Sequence, residues 1–386
     1  MMTELQFNDN LYVANTYQRF KVDIVSGKGA LYYDSNGKEY IDMGSGIGVT
    51  AFGACDEEWK QAVIAQLDKF QHVSNLYFTQ PCVELAKILV DRTNLSKVFF
   101  ANSGAEANEC AIKVARKYYE DKYENQGYII TLKNSFHGRT LTTLSATGQE
   151  KFHELFTPLT SGFLYADAND ITQIENYLNT YPIAGVMIEL VQGEGGVNAL
   201  DKDYVLNLRK LCDEKDVLLI VDEVQTGNGR TGELYAFNNY KILPDVVTTA
   251  KGLGGGLPIG ACIIGKKAEN VLTFGTHGST FGGNPVCASG AISILNRLTP
   301  EFLSEVKKKS EYVIKELSSC EGVESVTGLG LMLGIKTKKP NKEIVEKCIE
   351  NGVLVLTAKD KIRLLPPLNI PFDLLKKAIG VIKQAL

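Results

Sequence analysis

The chain lacks any excess of positive charge: 41 lysines and arginines stand against 45 aspartates and glutamates, a formal net charge of −4 at pH 7. Gripping a phosphate backbone takes a basic surplus, so nucleic acid is excluded as a partner. Clustered cysteine is missing too. The eight cysteines, at 55, 82, 110, 212, 262, 287, 320 and 348, never fall within four residues of one another. The Cys-x-x-Cys spacing of a zinc clip is therefore absent, no metal is expected, and the cysteines read as buried apolar residues or idle thiols. The longest aliphatic runs, such as residues 217–221, fall far short of the ~20 residues that cross a bilayer. The first ten residues are polar and acidic, without the charged leader and apolar stretch of a secretory signal, so a cytoplasmic location is expected. Neither a Walker lysine motif nor a Gly-x-Ser-x-Gly elbow occurs.

What is present is ordinary globular material, 44% hydrophobic and 22% charged. At 386 residues the chain exceeds the usual size of one hydrophobic core, which implies two domains. Glycine is enriched: 36 residues against 11 prolines, about two points above the average share of roughly 7%.

Short β-branched runs at 98–101, 128–132, 163–165, 185–190, 217–221, 246–249 and 260–264 read as strands. Helical stripes lie between several of them: Ala111, Val114, Ala115 and Tyr118 share one face, and Val205, Leu208, Leu211 and Cys212 another. Apolar strands alternating with amphipathic helices predict an α/β fold with a mostly parallel sheet covered on both faces. Beyond about Pro300 the pattern changes to a long charged helix over 302–319, short strands near 323–327, 334–337 and 353–356, and a closing helix over 372–386. This reads as a smaller α+β domain. Residues 30–42 read as a hairpin turning at Asn36-Gly37.

Ligands of open α/β sheets bind beyond the carboxyl ends of the strands. Five such ends here carry functional side chains: residues 102–108, 134–140, 189–196, 222–227 and 250–256. Ser103-Gly104-Ala105 joins a strand to a helix, where free N–H groups suit a phosphate. On this segment alone, Ser103 with Glu106 reads first as a capping box. Asp222 follows an apolar strand, and a buried carboxylate needs a cation or strong donor, such as a protonated pyridine nitrogen or a nearby arginine. Lys251 also follows an apolar strand and precedes glycines; a partly desolvated lysine has a lowered pKa and suits imine formation. Residues 227–232 match Gly-x-Gly-x-x-Gly, but the strand before them ends in carboxylates that would oppose a pyrophosphate. A nicotinamide dehydrogenase is thus the weaker reading.

Ser-Gly-Ala-Glu-Ala-Asn at 103–108, Phe-His-Gly-Arg-Thr at 136–140, Asp-Glu-Val-Gln-Thr-Gly at 222–227, Lys251 with its glycines and residues 277–284 together resemble the class III (subgroup II) aminotransferases, which depend on pyridoxal phosphate. The resemblance implies a type I aminotransferase fold, with a seven-stranded sheet in a large domain over 51–290. The smaller domain would comprise residues 1–50 and 291–386, and the site would be shared across a homodimer interface. It further implies that Lys251 holds the cofactor and moves the proton. Asp222 would pair with the ring nitrogen, Phe136 and Val224 sandwich the ring, and Gln225 reach its phenolic oxygen. Gly104 and Ala105, assisted by Ser103, would bind the phosphate with Thr280 of the other subunit, beside which Ser279 contacts substrate. Arg139 would take the distal carboxylate, Arg363 the one next to the reacting carbon, and Glu194 would gate Arg363. His137 is expected only to shape its turn. The reaction implied is transfer of the δ-amino group of N2-acetylornithine to 2-oxoglutarate. Ornithine, 4-aminobutyrate and succinyl-diaminopimelate are alternative donors, and a non-catalytic cofactor-binding homologue is the remote alternative. Ornithine-specific members carry a tyrosine near Gly46-Ile47, absent here. Residues 50–57, Leu190 and Lys21 depart from the pattern usual for enzymes acting on the acetylated donor.

Overall fold

The computed structural model describes residues 2–386. Its centre is a seven-stranded sheet in the order Lys97–Ala101, Gly260–Ile264, Val246–Thr249, Leu218–Asp222, Ile183–Ile188, Tyr128–Leu132, Phe163–Ala166. All neighbours are parallel except around Gly260–Ile264, which runs against both of its own. Strand alternation splits this apolar sequence between two layers. Leu218 and Ile220 join Cys110, Val114 and Ala115 of helix Gly104–Tyr123 on one face. Leu219 and Val221 join Val205, Leu208 and Cys212 of helix Lys202–Glu214 on the other. A two-residue period on strands facing a 3.6-residue period on helices is why both faces bury fully.

Several strand boundaries differ from the sequence expectation. The run expected over 185–190 is a strand at Ile183–Ile188. Leu190 is apolar because the core buries it, and the chain has already left the sheet to form a small hairpin of Val191–Gln192 with Asn198–Ala199. The next strand extends to Asp222, which lies in register with Thr248. The run expected near 353–356 is divided: Val353–Leu354 pairs with Glu39–Asp42, and Leu356–Ala358 with Lys361–Leu364. The Lys361–Leu364 strand escaped the sequence pattern because two of its inward residues, Lys361 and Arg363, are charged yet buried.

The smaller domain is woven from distant segments. Ala30, Ile41 and Met43 share a core with Val313, Leu317, Leu333, Ile335, Ile344 and Ile379. The 31–34 and 39–42 strands form the expected hairpin, with Gly37 at φ 78°. Buried Arg230 joins the two parts: its guanidinium donates to the carbonyls of Leu331 (3.1 Å) and Pro366 (2.6 Å), and Asp42 supplies an opposing charge. No helix among the described residues is long and apolar enough to cross a membrane. Replacing Arg230 with Ala takes the donor from the Leu331 and Pro366 carbonyls and removes the buried cation that faces Asp42, whose Oδ1 keeps only the amides of Gly44 and Ser45. Urea unfolding should then show a loss of about 3–5 kcal/mol; a loss below about 1 kcal/mol would show that this joint is not a main support.

Candidate active site

Six strands pointing the same way bring their carboxyl ends to one edge of the sheet. The reversed Gly260–Ile264 strand brings its beginning there instead. A cavity of about 440 Å³ opens at this edge. Its wall takes Ser103, Gly104 and Ala105 after the first strand, Phe136 and Arg139 after the second, Asp222, Val224 and Gln225 at the fifth, and Lys251 after the sixth.

Asp222 is the most constrained of these groups. Its Oδ2 accepts from Asn108 Nδ2 (2.8 Å) and from His137 Nδ1 (2.8 Å), while Oδ1 accepts from the Val224 amide (3.0 Å). Thr248 Oγ1 donates to Asn108 Oδ1 at 2.6 Å and fixes the amide's orientation. No arginine among the described residues pairs with Asp222, so of the two bland readings, a local cap or an arginine partner, only the cap is met, by the Val224 amide. His137 does more than shape a turn: a carboxylate can only accept, so His137 Nδ1 carries the proton toward Asp222.

Ser103 is the N-cap of the 104–123 helix; its hydroxyl accepts from the Glu106 amide (3.2 Å) and donates to Glu106 Oε2 (3.0 Å). The capping reading of Ser103 is thus correct as far as its side chain goes. The first amides of a helix have no intrahelical acceptor, so those of Gly104 and Ala105 remain available at the cavity wall. Gly104 is required sterically, since a Cβ there would lie 2.6 Å from Val224.

Lys251 sits at φ 46°, a conformation that non-glycine residues adopt only when surroundings impose it. Burial of its amino group lowers its pKa, Arg363 lowers it further, and Asp222, Glu194 and Glu189 oppose the shift. Arg363 is buried behind Gln225. Its Nη1 donates to Glu194 Oε1 at 2.8 Å and to Gln225 Oε1 at 3.3 Å, and its Nε has no partner. Ser279 and Thr280 lie outside the cavity: Ser279 Oγ accepts from Asn102 Nδ2 (3.2 Å) and the Gly282 amide (3.0 Å), and Thr280 is exposed.

Sequence reasoning missed Asn108, the His137 contact, and two buried carboxylates that flank Asp222. Glu189 accepts from the amides of Phe136 (2.9 Å) and Gly193 (3.3 Å). Glu223 accepts from Thr226 Oγ1 and the Phe237 amide. Both follow apolar strands, the same signal that singled out Asp222. The Gly-x-Gly-x-x-Gly match at 227–232 opens no helix; turns continue to Phe237–Tyr240, so the dinucleotide reading fails.

The pattern of the family "Aminotransferase class-III" matches residues 12–386. Acetylornithine aminotransferase of Haemophilus ducreyi is 48% identical over 98% of this chain and 97% of that protein. The Aquifex aeolicus enzyme of the same name is 47% identical over 97% of this chain and 100% of that protein. Among solved structures, ornithine aminotransferase from Toxoplasma gondii superposes with a TM-score of 0.94 at 31% identity, covering 100% of this chain and 94% of that one. N-acetylornithine aminotransferase from Stenotrophomonas maltophilia gives 0.85 at 33%, over 98% and 97%. The chain belongs to the class-III aminotransferases and has the type I aminotransferase fold. The family's cofactor is pyridoxal phosphate, and the cavity fits it. A lysine for attachment, a donor-held carboxylate for the ring nitrogen, unpaired helix amides for a phosphate and a glycine wall where a Cβ would collide all face one space.

Burial raises Glu223 to about 7, above the ordinary carboxylate value of 4.5, with Asp222 adding to the rise and its hydrogen bonds opposing it. Between those two values the folded state binds the proton that the unfolded state has lost. Its contribution to stability is therefore present below 4.5 and lost as pH rises through about 7. Thermal melts of wild type and Glu223→Gln from pH 5 to 8.5 should show wild type losing ground to the variant across that window. A gap that stays constant with pH would refute this.

Proposed function

We propose that the chain transfers the δ-amino group of N2-acetylornithine to 2-oxoglutarate, giving N-acetylglutamate 5-semialdehyde and glutamate. The observation carrying this reading is a pair of unlike arginines: Arg139 lines the cavity and has no carboxylate partner among the described residues, whereas Arg363 touches the cavity wall through Gln225 and is closed by Glu194. Two forked guanidiniums suit the two carboxylates of 2-oxoglutarate and glutamate. The acetylated donor has no carboxylate beside the carbon that reacts. With that donor bound, an uncovered Arg363 would be a buried charge facing an apolar chain, and Glu194 neutralises it. The 2-oxoglutarate carboxylate then takes the place of Glu194. The relatives named acetylornithine aminotransferase support this donor. Ornithine is the second reading because of the likeness to the Toxoplasma enzyme; Gly46-Ile47, in place of a tyrosine, argues against it.

In this reading Lys251 Nζ would hold the cofactor and would take up the proton that leaves the substrate carbon bearing the amine. Asp222, oriented by Asn108 and His137, holds the ring nitrogen protonated. Phe136 and Val224 would flank the ring, Gln225 would meet its phenolic oxygen, and Gly104 and Ala105 with Ser103 would hold the phosphate. Bound pyridoxal phosphate supplies the electron sink for the pair left behind when the proton departs. The decisive experiment is a half-reaction screen by absorbance, offering acetylornithine, ornithine, 4-aminobutyrate and succinyl-diaminopimelate to wild type and to Glu194→Ala. Acetylornithine should react best, and the variant should lose more than tenfold with it but little with glutamate. Faster reaction of ornithine or 4-aminobutyrate would overturn the donor, and equal losses would overturn the gate.

The site is also proposed to be completed by a second copy of the chain, in which Thr280 binds the phosphate and Ser279 the substrate. Leu76, Phe78 and Phe274 are almost fully exposed, with Tyr77 and Phe281 largely so. Large apolar side chains so exposed suit an interface. Sedimentation should give twice the 42.3 kDa chain mass; a monomer at micromolar concentration would refute the shared site.

A further inference from the structure

Arg139 and Arg363 are held in opposite ways. The Arg363 guanidinium is tied by an ion pair that must open before a substrate carboxylate can bind. The Arg139 guanidinium makes no ion pair among the described residues and lies instead over aromatic rings. Its central carbon is 4.3 Å from the centroid of Phe152 and 5.5 Å from that of Phe136. The two rings meet edge to face, 6.3 Å apart at 68°.

Phe152 belongs to the short helix Glu150–His153, outside the residues assigned to cofactor or substrate. The helix is fastened to the Arg139 loop from several sides. The Phe152 amide donates to the Gln149 carbonyl (3.0 Å), Gln149 Nε2 donates to the Ser135 carbonyl (2.9 Å), and His153 Nε2 donates to the Thr147 carbonyl (2.7 Å). Lys151 Nζ lies 4.8 Å from the same ring centroid. On the other side, Gly138 at φ 140° packs so tightly that a Cβ would lie 2.4 Å from Thr143 Oγ1. Backbone and ring thus fix both ends of the Arg139 side chain.

An aromatic face attracts a guanidinium through its quadrupole and covers the flat side, leaving the N–H edges free. Those edges are what a carboxylate engages bidentately. A free arginine carries rotamer entropy, part of which binding would have to remove. We propose that Phe152 is a positioning residue that holds Arg139 ready for the distal carboxylate and so sets the preference for dicarboxylate acceptors. This rests on the reading of Arg139 as the distal-carboxylate arm.

The test compares 2-oxoglutarate with pyruvate, which has no distal carboxylate, in wild type, Phe152→Leu, Phe152→Met, Phe152→Tyr and Arg139→Lys. Loss of the aromatic face, worth about 1 kcal/mol, should raise the KM for 2-oxoglutarate about fivefold in the Leu and Met variants. Their kcat and their kcat/KM for pyruvate should stay within about twofold of wild type, and Phe152→Tyr should restore the 2-oxoglutarate value. Calorimetric titration with glutarate, an unreactive dicarboxylate, should show the same fivefold weakening. If the Leu or Met variant discriminates like wild type while Arg139→Lys does not, the positioning role falls and the arm stands. If Arg139→Lys also discriminates like wild type, the arm itself falls, and the proposal with it. Equal losses with both acceptors, or no rescue by tyrosine, would reduce Phe152 to a packing residue and overturn the proposal.

Discussion

The arrangement of the site depends on one carboxylate kept where carboxylates are expensive. Asp222 ends an apolar strand inside the protein, and its oxygens are satisfied by a helix residue, Asn108, by a loop residue, His137, and by the amide of Val224. An isolated charge in that position would cost several kcal/mol. Satisfying it obliges helix 104–123, the loop after strand 128–132 and, through Thr248, strand 246–249 to converge on one point. Those same elements carry Gly104, Phe136, Arg139 and Lys251. Once the carboxylate is satisfied, the cavity is largely drawn.

Around it the protein tolerates local costs that a purely structural core would avoid. Lys251 occupies a left-handed backbone conformation, and Glu189 and Glu223 are buried next to a third acid. Glu189 binds two loops through its two oxygens, one bearing Phe136 and the other leading to Glu194. The loops bearing Phe136 and Glu194 are thereby referenced to the same side chain. Small displacements of one loop are transmitted to the other through hydrogen bonds rather than through loose packing.

Much of this was legible from order along the chain. Strands read from β-branched runs agree with the central sheet to within two or three residues at each end, because parallel strands buried on both faces leave little room for polar residues. Asp222 and Lys251 stood out because each follows such a run. What sequence order hides is contact between distant segments. Nothing near Asn108 points to an acid 114 positions later. The Lys361–Leu364 strand was invisible because its inward residues are charged and find partners only in the folded state, as Lys361 does with Asn198 and Thr327. Arg363 was reached by resemblance alone. Leu190 misled in the other direction, being apolar for reasons of burial and not of strand membership.

The pairing of Val353 with Ile41, and of the Leu365 amide with the Met43 carbonyl, bears on how the molecule comes into being. On a ribosome the early hairpin emerges with Ile41 and Met43 facing water, and the segments that cover them are made hundreds of residues later. At ordinary elongation rates that interval is on the order of tens of seconds. The central sheet can close in the meantime, but the strand bearing Arg363 cannot. A nascent chain can therefore assemble the sheet edge that lines the cavity before the strand bearing Arg363 exists, while Ile41 and Met43 wait for their cover.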